Sequence, residues 1–236
     1  MFGISTFCLH RQPLEVALET LRPHTDTVEV MDEGLHHLTS PDLLEQFSYR
    51  YCIHAPSRGV NIASLLEPIR RASVQVIGDC FAIAGEVDAG VVIHPGYYAW
   101  IEEREAAMTA FAGSLAELRA IADDTGVSFC VENMGNWEYF FLRTPDEVEM
   151  IEGCGLALDV GHAHLNGCLP EFLDVPFSHA HLHDNDGLSD SHVAVGEGDI
   201  PFAPVMEAVR RNGAAPIIEV NTLEGCLRSI HALEAI

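Results

Sequence analysis

Nine residues in this chain carry side chains suited to a divalent cation: His54, His94, Glu132, Asp159, His162, His181, Asp190, His192 and Glu219. They are five imidazoles and four carboxylates, a donor mixture that suits zinc or a similar divalent ion. Six of them end, or nearly end, runs that read as strands. His54 closes Tyr-Cys-Ile-His, His94 closes Val-Val-Ile-His, Glu132 closes Phe-Cys-Val-Glu and Glu219 closes Ile-Ile-Glu. Asp159 lies in Ala-Leu-Asp-Val-Gly-His and His181 in His-Ala-His-Leu-His-Asp. An imidazole or carboxylate after several apolar residues is costly to bury alone. Convergence on metal removes that cost for all of them together. Singly, each has an ordinary alternative. His54 could be a hydrogen-bonded structural residue, Glu132 and Glu219 catalytic carboxylates without metal, and Asp190-Ser-His192 a polar loop. His179 and His183 share the strand face of His181 by two-residue alternation, so either could replace it. His10, His24, His36, His37 and His231 read as surface or loop residues.

The elements that must position these groups alternate along the whole chain. Strand-like runs fall at Phe2–Leu9, Thr27–Met31, Tyr51–His54, Gly90–His94, Val127–Glu132, Leu156–Val160, Phe177–His183 and Pro216–Val220. Several are continuously apolar, as in strands buried on both faces. Helical stretches lie between them. Ala106–Asp124 places Met108, Phe111, Leu115, Leu118 and Ile121 on one side, and Ser64–Ala84 is a second clear case. Two helices must be short, one near Pro41–Phe47 and one between Gly167 and Pro176. Thr144-Pro145 with Glu147 reads as a capping box, and Gly126 and Gly213 as helix stops. Eight strands alternating with eight helices predict a single α/β domain over residues 1–236, a (β/α)8 TIM barrel. An open doubly wound sheet is the alternative, but the glycine-rich dinucleotide fingerprint is missing. In such barrels chemistry sits at the C-terminal ends of the strands, where the candidate ligands fall.

Composition narrows the field. The chain has 236 residues, 48% hydrophobic, enough for one large core. No apolar run is long enough for a membrane span, and the first residues lack the basic start of a signal peptide. Seven cysteines, none in a Cys-x-x-Cys pair, read as reduced core residues of a cytoplasmic protein, with Cys8, Cys52 and Cys130 in apolar surroundings. Acidic residues number 36 against 12 basic, all arginine, for a formal net charge of −24. The lack of lysine excludes a Schiff-base aldolase. The acidic excess argues against a nucleic-acid partner, whose binding rests on many basic contacts to phosphate. Otherwise it reads as a solvated surface.

His54-Ala-Pro, His94-Pro-Gly, Glu132-Asn, Leu158-Asp-Val-Gly-His162, His181-Leu-His-Asp-Asn, Asp190-Ser-His192 with Gly196-Glu-Gly198, and Glu219 together resemble the xylose isomerase-like barrel superfamily. That group holds sugar phosphate isomerases and epimerases and endonuclease IV, an apurinic-site DNA repair enzyme. The resemblance runs from about His54 to Glu219. It implies three metal positions: His54, His94 and Glu132; Glu132, Asp159, His181 and Glu219; and His162, Asp190 and His192. Zinc is the ion implied, up to three of them, with manganese or magnesium as alternatives. The second position corresponds to the single site of the epimerases, and the full set to the trinuclear zinc site of endonuclease IV.

Two activities follow from the resemblance. One is a metal-dependent sugar or sugar-phosphate isomerase or epimerase working through an enediolate, with Glu132 and Glu219 removing and returning the proton. The other is an endonuclease IV-type phosphoester hydrolase acting on abasic-site DNA or a small phosphoester. Val60–Ser64 and Val30–Gly34 look more like the isomerase-like members. The expected partner is a small-molecule sugar or phosphoester. Glu29, ending the second strand, either binds a sugar hydroxyl or sits as a charge behind the ligands or at the barrel rim. Arg58, with the amides near Gly196–Gly198, would hold a phosphate, or else is a surface loop residue. Tyr97, Tyr98 and Trp100 would rim the substrate pocket or stack on a base or sugar.

Overall fold

In the computed structural model, which describes residues 2–236, eight parallel strands pair in chain order and the eighth closes on the first. They are β1 (Gly3–Ser5), β2 (Thr27–Met31), β3 (Arg50–His54), β4 (Gly90–Ile93), β5 (Phe129–Glu132), β6 (Gly155–Asp159), β7 (His179–Leu182) and β8 (Ala215–Ile218). Seven helices surround them: α1 (Leu14–Leu21), α2 (Glu67–Glu86), α3 (Arg104–Thr125), α4 (Val160–Leu165), α5 (Leu169–Leu173), α6 (Phe202–Asn212) and α7 (Leu223–Glu234). The predicted TIM barrel is the observed fold. Among the described residues no helix is long and apolar enough to cross a membrane.

The strand alternation divides the residues between two tasks. Ile4, Val28, Val30, Ile53, Val91, Ile93, Val131, Leu158, Ala180, Leu182 and Ile218 belong to one continuous buried apolar cluster with helix residues such as Phe81, Phe111 and Phe172. The intervening residues form the interior face. Register pairs Glu29 with Cys52, Met31 with His54, Glu132 with Ala157 and Asp159 with His181. The interior is therefore lined by chemistry-bearing side chains where such barrels ordinarily pack branched apolar ones.

Among the described residues eight full helices are not formed. The segment near Pro41–Phe47 gives only a 3-10 turn, Leu44–Gln46, and the connection after β5 gives a 3-10 segment, Pro145–Ile151. The capping box does not form: Thr144 makes no side-chain cap, and the Glu147 carboxylate accepts from the Arg143 amide at 2.8 Å and from the Arg104 guanidinium. The first strand is shorter than Phe2–Leu9. Ser5 Oγ accepts from the Phe7 amide and turns Thr6–Leu9 into a 3-10 helix. Gly126 (φ 73°) and Gly213 (φ 62°) terminate α3 and α6 in the left-handed conformation that glycine adopts without a Cβ penalty.

Candidate metal centre

Glu132, at the end of β5, is the hub of the barrel mouth. Its Oε2 lies 3.1 Å from His54 Nε2 and 3.2 Å from His94 Nε2. Its Oε1 lies 3.3 Å from His162 Nδ1 and 3.5 Å from His181 Nδ1. His181 Nδ1 also faces Asp159 Oδ2 at 3.8 Å and Glu219 Oε2 at 3.7 Å. A third focus is Asp190 Oδ2, 3.3 Å from His162 Nε2 and 3.2 Å from His192 Nε2. All nine candidate residues are thus brought together at one end of the barrel. Donor atoms of His54, His94 and Glu132, and those of His162, Asp190 and His192, each lie within 4.8 Å of one another.

Backbone contacts aim the imidazoles. His54 Nδ1 is 3.0 Å from the Ala55 carbonyl, His162 Nδ1 2.9 Å from the Asn133 carbonyl and His192 Nδ1 2.8 Å from the Glu219 carbonyl. With Nδ1–H donating there, Nε2 is the nitrogen directed into the cluster, holding a proton there in the absence of metal and free to ligate once it is lost, the orientation seen in metal-binding histidines. His192 is held at φ 44°, an uncommon conformation for a side-chain-bearing residue that places its ring against Glu219 and Asp190. Asp159 is fixed on two sides. It caps α4 by accepting from the His162 amide at 2.7 Å, and His183 Nε2 sits 3.0 and 3.1 Å from its two oxygens. Gly161 makes room for that imidazole, since a Cβ there would lie 2.0 Å from the His183 ring. His183 thus supports Asp159, and His181 is the strand-β7 histidine whose Nδ1 meets three carboxylates.

Two observations show that the residues fit a bound cation. His181 Nδ1 is buried without a hydrogen-bond partner although three carboxylates converge on it, and Asp190 Oδ1 is also buried and unpartnered. The titration behaviour agrees. Burial pulls the His54 imidazole down, but contact with Glu132, then the charges of Glu219 and Glu29, lift it to about 9. Burial likewise opposes charging of His192, and Asp190 and Glu219 raise it to about 9. Glu132 is held well below the carboxylate range, its burial outweighed by His181 and His94. Protons here occupy the place that a divalent ion would take between imidazole and carboxylate.

The mouth opens into a cavity of about 620 Å³. Ligand side chains form its base, and Phe7, Met134, Trp137, Tyr139 and Phe140 form its walls. These aromatic residues of the loop after β5 carry no periodic signal and were not singled out in the sequence. The expected pocket aromatics lie elsewhere. Tyr97 and Trp100 line a neighbouring groove with Leu65, Leu66 and Ile69, because Asn61 clamps the Tyr97 amide and carbonyl at 3.0 and 2.9 Å and turns the loop aside. Arg58 is exposed at the cavity rim, on a loop pinned by Glu33 Oε1 to the Ser57 and Arg58 amides. Two of the amides near Gly196–Gly198 are already committed: the Gly196 amide donates to Asp184 Oδ2 at 2.8 Å and the Glu197 amide to the Ala194 carbonyl at 3.0 Å. Glu29 is in the middle of β2 and fully buried, with its oxygens against His181 Nε2 (3.0 Å) and His179 Nε2 (2.8 Å), so it does not reach a sugar hydroxyl in the mouth. His36 is buried rather than on the surface, between Thr6 Oγ1 and the Gln12 carbonyl.

Residues 38–231 match the model of the xylose isomerase-like TIM barrel family. An uncharacterised protein of Methanocaldococcus jannaschii, MJ1614, is 33% identical over 229 residues, covering 92% of this chain and 91% of its own. A crystal structure of a D-tagatose 3-epimerase-like protein superposes with a TM-score of 0.91 at 29% identity, over 99% of this chain and 96% of that one. The IolI protein, solved with a zinc atom bound, shares the fold at a TM-score of 0.79 and 20% identity, over 99% of this chain and 95% of that one. The chain belongs to the xylose isomerase-like TIM barrel family.

Proposed function

From that membership we propose that this chain is a divalent-metal-dependent sugar isomerase or epimerase that moves a proton through an enediolate. One observation carries the reading. Glu132 and Glu219 both line the mouth cavity and stand 3.5 and 3.7 Å from the same atom, His181 Nδ1. A substrate carbon held above that atom would have a carboxylate on either side. One takes the proton from the carbon beside the carbonyl and the other returns one to the opposite face, so configuration inverts or the carbonyl moves. A divalent ion bound by Glu132, Asp159, His181 and Glu219 would polarise neighbouring carbonyl and hydroxyl oxygens of the sugar. The remaining residues orient and line the site. His183 and Asn133 fix the Asp159 segment, and Trp137, Tyr139 and Phe140 give the cavity an aromatic wall. The cavity lining carries carboxylates at Glu33, Glu132, Asp190 and Glu219 against one arginine, Arg58. That balance supports a sugar over a polyanion. The D-tagatose 3-epimerase-like neighbour supports the same class.

Zinc suits the imidazole-rich set, with manganese or magnesium as alternatives at the carboxylate-rich position. A second reading, an endonuclease IV-type phosphoester hydrolase, is favoured by the completeness of the His162–Asp190–His192 group, which single-site isomerisation does not need. The test is to incubate the metal-loaded protein with ketoses in deuterated water. Deuterium entering the carbon next to the carbonyl, together with a new epimer or aldose, is the expected result. No exchange with any ketose, combined with nicking of an abasic duplex or cleavage of a small phosphodiester, would overturn the proposal in favour of the second reading.

A further inference from the structure

We propose that the floor of the barrel, at the end opposite the mouth, holds a separate soft-metal site built from Glu29, Cys52 and His179. A cavity of about 450 Å³ enters the barrel from that end and reaches Cys52 and His179. It exists because Gly3, Gly90 and Ala215 line it at a level where bulky residues ordinarily close such a barrel. One donor atom from each of Glu29, Cys52 and His179 lies within 4.8 Å of the other two. His179 Nε2 is 2.8 Å from Glu29 Oε2, and its Nδ1 is 3.9 Å from Cys52 Sγ. With Zn–N and Zn–O near 2.0 Å and Zn–S near 2.3 Å, tetrahedral coordination sets N···O at about 3.3 Å and N···S at about 3.5 Å. One imidazole binds an ion through a single nitrogen, so Cys52 Sγ, which faces Nδ1, must swing to the Nε2 side beside Glu29, within the 4.8 Å that separates one donor atom of each residue.

The polar groups point to a ligand independently of this spacing. Glu29 is fully buried and His179 nearly so, yet neither Glu29 oxygen nor His179 Nε2 makes a directed hydrogen bond. Two imidazoles stand 3.0 and 2.8 Å from the Glu29 oxygens, yet neither aims an N–H at them, and a buried carboxylate without aligned donors is costly. Glu29 Oε1 lies 3.0 Å from His181 Nε2, so one carboxylate faces the mouth histidine and the other side of it faces the floor. A thiol binds metal as its thiolate, so binding breaks the S–H bond, forms the metal–sulfur bond and releases the proton to solvent through the floor cavity that Cys52 lines. The chemical class is a thiophilic divalent ion, zinc foremost, with a water from the cavity completing the coordination.

Sulfur makes the site separable from the mouth, whose nine candidate donors are all nitrogen or oxygen. Titrating the metal-free, reduced full-length protein with cobalt(II) should give a near-ultraviolet thiolate-to-cobalt charge-transfer band in addition to the visible bands of the mouth. Cys52→Ser should lose that band and about one equivalent of bound metal. Cys130→Ser should keep both, because Cys130 Sγ is engaged by Ser178 Oγ at 3.1 Å and lies outside the donor set. Cadmium NMR on the wild-type chain gives the same answer without a variant, as one resonance in the range of a single-thiolate site. A cobalt form without the band, a band that survives Cys52→Ser, or cadmium resonances confined to the nitrogen–oxygen range would each overturn the proposal. These outcomes do not depend on which reaction the mouth performs.

Discussion

Replacing Glu132 by Gln removes the charge that the mouth is arranged around while keeping its volume. In the metal-free protein that charge is the main reason His54 titrates at about 9 rather than near its ordinary 6.5. A raised imidazole contributes stability that is fully present below the unfolded value and is lost as pH rises through the folded one. The window is therefore pH 6.5 to 9. At pH 7 the shift is worth on the order of 2 kcal/mol, and by pH 10 close to nothing. His54 is 3% exposed, so solvent screening does not reduce the figure. Glu132 itself stays ionised across this window, and its interaction is not counted twice. For a chain of this length, about 2 kcal/mol lowers Tm by about 4–8 °C. Metal-free Glu132→Gln should melt lower than metal-free wild type by at least that amount at pH 7, and the gap should narrow by pH 10 as the His54 part is lost, while His162 and His181, which Glu132 also raises, keep their share. Turnover should fall by about 10²–10⁴-fold, as expected for loss of a proton-transfer group. Calorimetric melts at the two pH values and a deuterium-exchange assay read both effects. A gap that does not shrink between pH 7 and pH 10 would refute the electrostatic account of the mouth, and retained exchange would remove Glu132 from the chemistry.

Reloading metal should expel about one proton each from His54 and His192 at pH 7, since both titrate near 9 without it, and none above about pH 10. Calorimetry in buffers of differing ionisation enthalpy counts them, and a proton yield independent of pH would contradict the paired imidazoles. Asp190→Asn removes the charge shared by His162 and His192, and should cost one bound metal while sparing ketose exchange. Exchange lost in step with that metal would tie the third ligand group to the reaction. Gly161→Ala drives a Cβ into the His183 ring and should destabilise the fold by about 1–3 kcal/mol in urea unfolding, with weaker metal binding through a displaced Asp159. An unchanged midpoint would mean that the loop relaxes freely.

Much of the site could be read in the sequence because strand geometry repeats every two residues. His54 and Glu132 end β3 and β5, and Asp159 ends β6, so each follows an apolar stretch onto the same rim. The same alternation could not choose among His179, His181 and His183. Depth decides that choice: His179 faces the floor, His181 Nδ1 meets three carboxylates and His183 stands behind Asp159. Cys52 and Cys130 look apolar from their neighbours along the chain, yet parity turns both inward to the floor cavity. Loops obey no such period. Asn61, remote in sequence, sets where Tyr97 goes, and nothing local marks Trp137 as a wall of the cavity.

The barrel therefore draws its stability from outside its own wall. Buried imidazoles and carboxylates make the interior a poor apolar core, and their pairing only offsets the desolvation of the groups themselves. The large buried side chains Phe81, Phe111, Phe141 and Phe172 lie in the layer between strands and helices, where continuous strand faces such as Val28 with Val30 and Leu156 with Leu158 meet the helices. This arrangement ties the register to the chemistry. Sliding β5 by one residue would put Val131 at the mouth and drive Glu132 into the apolar layer, costing core and centre together. A strand whose two faces are so differently committed has one register, and that is why six short strands suffice to place their ligands on a common rim.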